Sequence, residues 1–405
     1  MTRPLPTGIR PLLAANFIAT VAVVGQATAL GKLVFDLTGR ELDLGLLGLA
    51  EFLPVFLLAP VAGPIADRHD RRKVAVAGVG LEAVASAGLS WFAFTGQTSL
   101  LWVYMLVLVV GVARAFIAPA TRALPADLVR GDQLGRVVAL SAGSWQAGLV
   151  VGPVLGGFLY AARAGWPFAA AALLIAMTAI LLLRIPPVPP HPVERGSPLT
   201  EALAGLRFIR RTPLVLGAVS LDLFAVLFGG AVALLPAIAE KQLGVGAVGL
   251  GWLRAAVGIG AGLMTATLAW RPVGRRVGRV LLAAVAAFGL GTIVLGLTKS
   301  YPVAFAALLI LSAADAVSVW VRATLVPLAT PAAMRGRVLA MENVFIGASN
   351  ELGAFESGVA AHFLGVATAV VLGGVATCAV VGIWWLGFRE LRNIDRFTDL
   401  GHAEE

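Results

Sequence analysis

Gly63-Pro64-Ile65-Ala66-Asp67-Arg68-His69-Asp70-Arg71-Arg72-Lys73 leads from the end of one apolar run, 44–66, to the start of the next, 74–96. Each run is long enough to cross a hydrocarbon layer as a helix, which takes about 20 mostly apolar residues. Between them, Arg68, Arg71, Arg72 and Lys73 crowd into one short polar segment. A basic loop joining two membrane helices belongs on the cytoplasmic side.

Outward from this loop, the pattern repeats along the chain. Apolar runs occur at 11–35, 44–66, 74–96, 99–121, 137–162, 164–183, 213–239, 243–270, 280–298, 301–325, 338–364 and 366–388. These lengths suit helices, not strands, and predict an all-α polytopic membrane protein with twelve transmembrane helices. Composition agrees: 59% of the 405 residues are hydrophobic and only 13% charged, with a mean hydropathy of +0.90. The first run has no small-residue cleavage signature, so it reads as a spanning helix and not a removable leader. Cys378 is the single cysteine and lies in the last run, so no intramolecular disulfide is possible.

A formal charge of +9 raises the question of an anionic partner such as nucleic acid. The positions of the cations give a simpler cause. With both termini in the cytoplasm, the inside collects Arg10, Arg122, Arg136, Arg210, Arg211, Arg275, Arg276, Arg322, Arg335 and Arg337 as well as the first basic loop. Only Lys32, Arg40, Arg163, Lys241 and Lys299 are left outside. The expected surroundings are therefore a cell (inner) membrane, with the lipid bilayer and not nucleic acid as the large partner.

The longest break, 185–212, carries Pro186, Pro187, Pro189, Pro190 and Pro192 and then an amphipathic stretch, Leu199 to Arg211. It divides the chain into a first six-helix half, 1–184, and a second, 213–388, followed by a cytoplasmic tail, 389–405. Gly135-Arg136-Val137 before the fifth run recurs as Gly336-Arg337-Val338 before the eleventh. Two pseudo-symmetric halves of this kind are expected to enclose a substrate path near the bilayer midplane.

The Gly63–Lys73 loop resembles the G-x-x-x-D-R-x-G-R-R signature of the major facilitator superfamily, in letters and in its place after the second span. Asp70 stands where the signature has glycine. The resemblance implies a conformational latch made by Gly63, Asp67, Arg68, Arg71 and Arg72, with its counterpart at the start of span 11 around Gly336 and Arg337. In the fifth span, Gly148, Gly152, Pro153, Gly156 and Gly157 resemble the g-x-x-x-G-P-x-x-G-G motif of antiporters in that superfamily. Their smooth stripe predicts close packing against the glycine-rich eighth span, Gly249 to Gly262. Generic small-residue packing is the plain alternative. The texture of 345–358, with Leu37-Thr38-Gly39, is similar to the drug-efflux and enterobactin-exporter branch.

An ionisable group inside a span costs several kcal/mol to insert, about 2.5–3.5 on insertion scales, and is a candidate for function. Seven acids qualify: Glu51, Glu82, Asp222, Asp315, Glu342, Glu351 and Glu356. A buried carboxyl that binds and releases a proton is what proton antiport needs, so protons are the expected coupling ion. Glu351, beside Asn350 near the middle of span 11, ranks first, then Asp222, then Asp315. Glu51 is intermediate, Glu342 faces pairing with a basic group, and Glu82 and Glu356 read as local hydrogen bonds. Arg114, within span 4, has Asp315 as its repeat equivalent; the two either pair across the cavity or bind within their own halves.

Taken together, these features predict a secondary transporter that exports small amphipathic molecules, drugs or siderophore-like compounds. A lysophospholipid transporter or flippase on the same fold is the near rival. A polytopic membrane enzyme would need nucleophile, base or metal ligands at membrane depth, and His362 is the only histidine in a span. None of Lys32, Lys73, Lys241 and Lys299 sits in a phosphate-binding loop, so no nucleotide, metal or other cofactor is expected.

Overall fold

The computed structural model describes residues 8–129, 133–187 and 198–400, leaving aside the side chains of Pro60, Asp67, Ala123, Ala126 and Glu201. The expectations for 1–7, for Pro189, Pro190 and Pro192 in the linker, and for the last five residues of the tail lie outside the described residues. The first half of the chain forms α1 (Ile9–Thr38), α2 (Glu41–Arg68), α3 (Arg71–Thr95), α4 (Leu100–Leu128), α5 (Leu134–Ala162) and α6 (Trp166–Leu183). The linker helix α7 (Pro198–Arg211) follows, where the amphipathic stretch was expected. Next come α8 (Pro213–Phe228), the short α9 (Leu235–Ala237), α10 (Ala247–Trp270), α11 (Val277–Leu297), α12 (Tyr301–Leu328), α13 (Ala332–Leu364), α14 (Val366–Gly387) and the short α15 (Arg389–Asn393).

Local chemistry sets the ends of these helices. Gly39, at φ +63°, stops α1 in a left-handed turn and donates its N–H to the Phe35 carbonyl at 2.7 Å. Proline opens α6, α8 and α12 in the first turn, where its missing N–H costs nothing. Asp70 caps α3: its Oδ1 accepts from the Arg72 backbone N–H at 3.0 Å, with the backbone at φ −58°. The turn therefore needs no positive φ, which is why an aspartate can stand where the signature has glycine.

Among the described residues, eleven of the long helices are apolar enough to cross a membrane on length and composition alone. The twelfth, α13, is not: Arg335, Arg337, Glu342, Glu351 and Glu356 lower its hydropathy, as expected of a helix that must face protein or water. Large apolar side chains point outward, among them Leu173, Trp270, Phe363 and Leu386, each more than two thirds exposed. Such faces suit lipid as solvent.

The seventh span departs from the expected continuous helix. After Phe228 it passes through a 3₁₀ turn, Gly230–Leu234, and ends in a π turn, Ile238–Gln242. The tandem Gly229-Gly230 brings this break close to α13: a Cβ on Gly230 would lie 2.7 Å from Ser357 Oγ, and one on Gly353 would lie 2.7 Å from the Val226 carbonyl oxygen.

The chain divides into two compact units. One comprises Met1–Gly39, Leu49–Arg195 and Val245–Ala255; the other comprises Arg40–Gly48, Gly196–Gly244 and Ala256–Glu405. In the first, α1 packs on α5 and α6, and α3 on α4 and α6. In the second, α8 packs on α13 and α14, and α11 on α12 and α14. First with fifth and sixth, third with fourth and sixth: the helix pairing of one unit repeats in the other.

The glycine stripe of α5 is close-packed, but the expected partner needs correction. A Cβ on Gly152 would sit 2.8 Å from the Val21 carbonyl oxygen, and one on Gly148 would sit 2.6 Å from Thr20 Cβ. Gly156 abuts Gly25. The Gly148–Gly152–Gly156 face therefore lies on α1. Only the neighbouring face meets the eighth span, where a Cβ on Gly157 would be 3.1 Å from Gly251 Cα. The sequence displays the smooth face but not which of two glycine-bearing helices lies against it.

Candidate transport site

The signature loop is tied down within the first unit. Arg71 Nη1 donates to Asp127 Oδ2 at 2.8 Å, joining the start of α3 to the end of α4. Arg72 Nη1 donates to the Ile185 carbonyl at 3.0 Å, reaching past the end of α6. Arg68 is exposed, Gly63 and Gly336 have open space where a Cβ would stand, and the Asp67 side chain lies outside the described residues.

Deeper in the first unit, Arg114 on α4 gathers two acids. Its Nε donates to Glu82 Oε1 on α3 at 3.1 Å, and its Nη1 donates to Glu51 Oε1 on α2. Glu82 therefore serves as an ion-pair partner and not merely as a local hydrogen bond. A guanidinium offers several donors in one plane, so it can hold two carboxylates from different helices. Beside this cluster, Gln26 and Glu51 line a void of about 10 Å³, and Gln26 Oε1 is buried with no hydrogen-bond partner among the described residues.

The second unit holds a more enclosed cluster. Arg322 Nη2 lies 2.6 Å from Asp222 Oδ1 on α8, and Nη1 lies 3.5 Å from Glu342 Oε1 on α13. Asp315, two turns before Arg322 on α12, interacts electrostatically with both Asp222 and Arg322. The expectation that Arg322 belongs to the cytoplasmic cations is corrected here, because only 3% of the residue is exposed. Its place near the end of an apolar run made it look like a flanking charge. The seven-residue spacing from Asp315 was the available signal, since it puts both groups on nearly the same face of one helix. Arg114 and Asp315 each belong to a cluster of their own unit.

Glu351 sits apart from this cluster. Nine residues beyond Glu342 it lies about 13 Å further along the axis and on the opposite face. There its Oε2 would be 3.3 Å from a Cβ on Gly48. Asn350 turns its amide back to the Ile346 carbonyl at 2.8 Å. Glu356 stands beside Ser357 on α13.

The first unit also contains a cavity of about 500 Å³, within the range of small-molecule sites. Its walls are mostly apolar, with Asn16, Thr20, Arg122, Ser141 and Trp145 supplying the polar and aromatic groups. Asn16 Nδ2 donates to the Ser141 carbonyl at 2.9 Å, and Ser141 Oγ is buried with no hydrogen-bond partner among the described residues.

Twelve long helices in two repeated units, with an arginine–carboxylate cluster in each, half-buried in the first and buried in the second, set the frame for comparison with known proteins. A sequence model of the Major Facilitator Superfamily matches residues 12–354. The chain belongs to the Major Facilitator Superfamily.

As a member of that superfamily it is a transporter of the multi-pass membrane class. It is similar to the enterobactin exporter EntS of Shigella boydii serotype 18 (strain CDC 3083-94 / BS512), 29% identical over 330 residues, covering 81% of this chain and 79% of that protein. EntS of Escherichia coli O1:K1 / APEC is 28% identical over the same coverage. Among solved structures, a POT family transporter in complex with 5-aminolevulinic acid superposes with a TM-score of 0.75 at 11% identity, covering 95% of this chain and 97% of that one. A bacterial homolog of the human lysosomal transporter Spinster, inward-facing and unoccupied, gives 0.67 at 15% identity, covering 96% and 97%. These structures share the superfamily fold. They bear out the all-α, twelve-helix reading, and the EntS relatives bear out the resemblance to the exporter branch.

Proposed function

We propose that this protein exports small amphipathic molecules, drugs or siderophore-like compounds, by proton-coupled alternating access in the cell membrane, with both termini in the cytoplasm. The observation that carries the reading is the Arg322 cluster, in which three carboxyls, Asp222, Asp315 and Glu342, share one cation. Burying more acids than bases favours a state with a bound proton, and opening the site to water favours its release. Asp222 and Asp315 are thus the leading proton carriers. Glu351 and Asn350 remain candidates for the cavity lining, and Glu51 with Arg114 form the corresponding polar centre of the first half.

The substrate's apolar body fits the cavity around Trp145, and Arg122 offers an anionic group a partner. Gly63, Asp67, Arg68, Arg71 and Arg72 serve as the conformational latch. Gly148, Gly152, Pro153, Gly156 and Gly157 keep α5 close to its neighbours. The halves 1–184 and 213–388 move as the two bodies of alternating access, with 185–212 as the tether. The exporter relatives support the direction of transport.

The reading is tested in proteoliposomes with an imposed pH gradient and a panel of lipophilic cations, catecholate siderophores and lysolipids. Accumulation of a cation or siderophore that collapses with the gradient is the expected result. Gradient-independent movement of lysolipid alone would favour the lipid-transporter reading, and no dependence on pH for any substrate would overturn proton coupling.

A further inference from the structure

Beside the Arg322 cluster the second unit encloses a second, much smaller space, about 10 Å³, lined by Asp222, Val226, Val285, Phe288, Asp315 and Ser318. Ser318 lies three residues after Asp315 on α12, so the two side chains share a helix face. Only 3% of Ser318 is exposed, and its Oγ has no hydrogen-bond partner among the described residues. Most buried serines in these helices return their hydroxyl to a backbone carbonyl, as Ser312 does to Leu308 at 2.7 Å. Ser318 does not, and a buried hydroxyl without a partner loses free energy unless something occupies the space it faces.

We propose that this space holds one water molecule bridging the carboxyls of Asp222 and Asp315 and the hydroxyl of Ser318, and that the two aspartates share a single proton through it. The volume is about that needed to admit one water, and three polar groups supply the two to four hydrogen bonds such a water requires. The remaining walls are hydrocarbon, which leaves a metal cation short of oxygen ligands. The two Nη atoms of Arg322 face Asp222 and Glu342, so Asp315 shares this single cation with two other carboxyls and a second negative charge on it is not fully offset. In the transfer, one carboxyl gives its O–H proton to the water while the water gives one of its own to the other carboxylate, and the water is regenerated. The charged groups acting on the pair are Arg322 and Glu342; α11 contributes only Val285 and Phe288 to the wall.

This inference names the site of coupling within the proposed proton-driven transport, yet its test does not depend on transport. Carboxyl stretching bands of the purified protein in detergent are followed by infrared difference spectroscopy across pH, in sodium chloride and in choline chloride. In the unsubstituted protein the pair is expected to titrate in two steps separated by more than about 1 pH unit. Asp315→Asn should collapse this to one step and move the Asp222 band to lower pH. Ser318→Ala, which keeps both acids, should narrow the separation and remove a hydrogen-bonded water O–H band. Independent titration, with the Asp222 band unmoved by Asp315→Asn, would overturn the shared proton. A midpoint that shifts with sodium would overturn the water in favour of a sodium ion. Coupled titration without pH-driven transport would leave the site standing and remove only the proposed function.

Discussion

Arg322 and Asp222 meet at 2.6 Å, with 4% and 6% of their side chains exposed, and so tie the last third of α12 to α8. Taking away one member of such a pair strands the other charge in the protein interior, which costs about 3–5 kcal/mol. Arg322→Leu should therefore lower the melting temperature in detergent sharply. The double variant Arg322→Leu with Asp222→Leu should recover part of the loss, because Asp222 is then no longer stranded while Glu342 still lacks its partner. Equal melting of the single and double variants would mean that the pair is not a structural unit.

The α1–α5 contact gives a graded prediction. Gly152 has the Val21 carbonyl oxygen 2.8 Å and the Gly25 nitrogen 3.1 Å from where a Cβ would stand, both backbone atoms that cannot rotate away. Gly152→Ala should reduce stability and Gly152→Leu should abolish folded expression. Gly143, on the same helix, has nothing within 4 Å, so Gly143→Ala should stabilise by about 0.5–1 kcal/mol. Fluorescence-detected size exclusion after heating reads all three. If Gly152→Leu behaves like Gly143→Ala, the helices are not in backbone contact there.

Asp70 stands where the superfamily signature has glycine, and its side chain caps α3. Asp70→Ala should cost about 1 kcal/mol of stability, whereas Asp70→Gly should cost only a few tenths. Thermal unfolding with transport measured in parallel checks this. A larger loss for glycine than for alanine would show that backbone stiffness, not the cap, matters at this turn.

The fold was legible from the sequence because twelve apolar runs, broken by short polar loops, report directly on the surrounding solvent. Three features were not. Arg322 falls where a run ends, so charge counting assigns it to water, although three acids draw it inward. The break at Gly229-Gly230 leaves hydropathy untouched, and only packing against Gly353 reveals it. The partner of the α5 stripe was ambiguous for a related reason: both α1 and α10 carry glycine, and small residues mark a close contact without naming its other side. Glu351 drew attention by its depth and its polar neighbour. Asp315 became the stronger candidate once its spatial neighbours were known.

At the C-terminal tail, Asp395 Oδ1 accepts from the Arg276 backbone N–H at 3.1 Å, and Arg275 Nε lies 3.5 Å from Oδ2. The Arg276 N–H, followed by the cations of Arg275 and Arg396, holds the Asp395 carboxyl below the usual carboxylate range. A depressed folded value means that the clasp contributes above the unfolded value, about 3.9, and is lost as pH falls through the folded one. A spin label at Thr398 should gain mobility only below about pH 4 in the parent. In Asp395→Asn it should be more mobile already at neutral pH, and identical profiles for the two proteins would remove this role.

The central claim, that Asp315 and Asp222 carry the proton that drives export, is tested most directly by transport through Asp315→Asn in proteoliposomes. Amide replaces carboxyl at nearly constant size, so binding and downhill counterflow should persist while pH-driven accumulation is lost. Glu351→Gln, measured beside it, should retain pH-driven accumulation. If Asp315→Asn accumulates substrate as fully as the parent, with the same pH dependence, the account is contradicted.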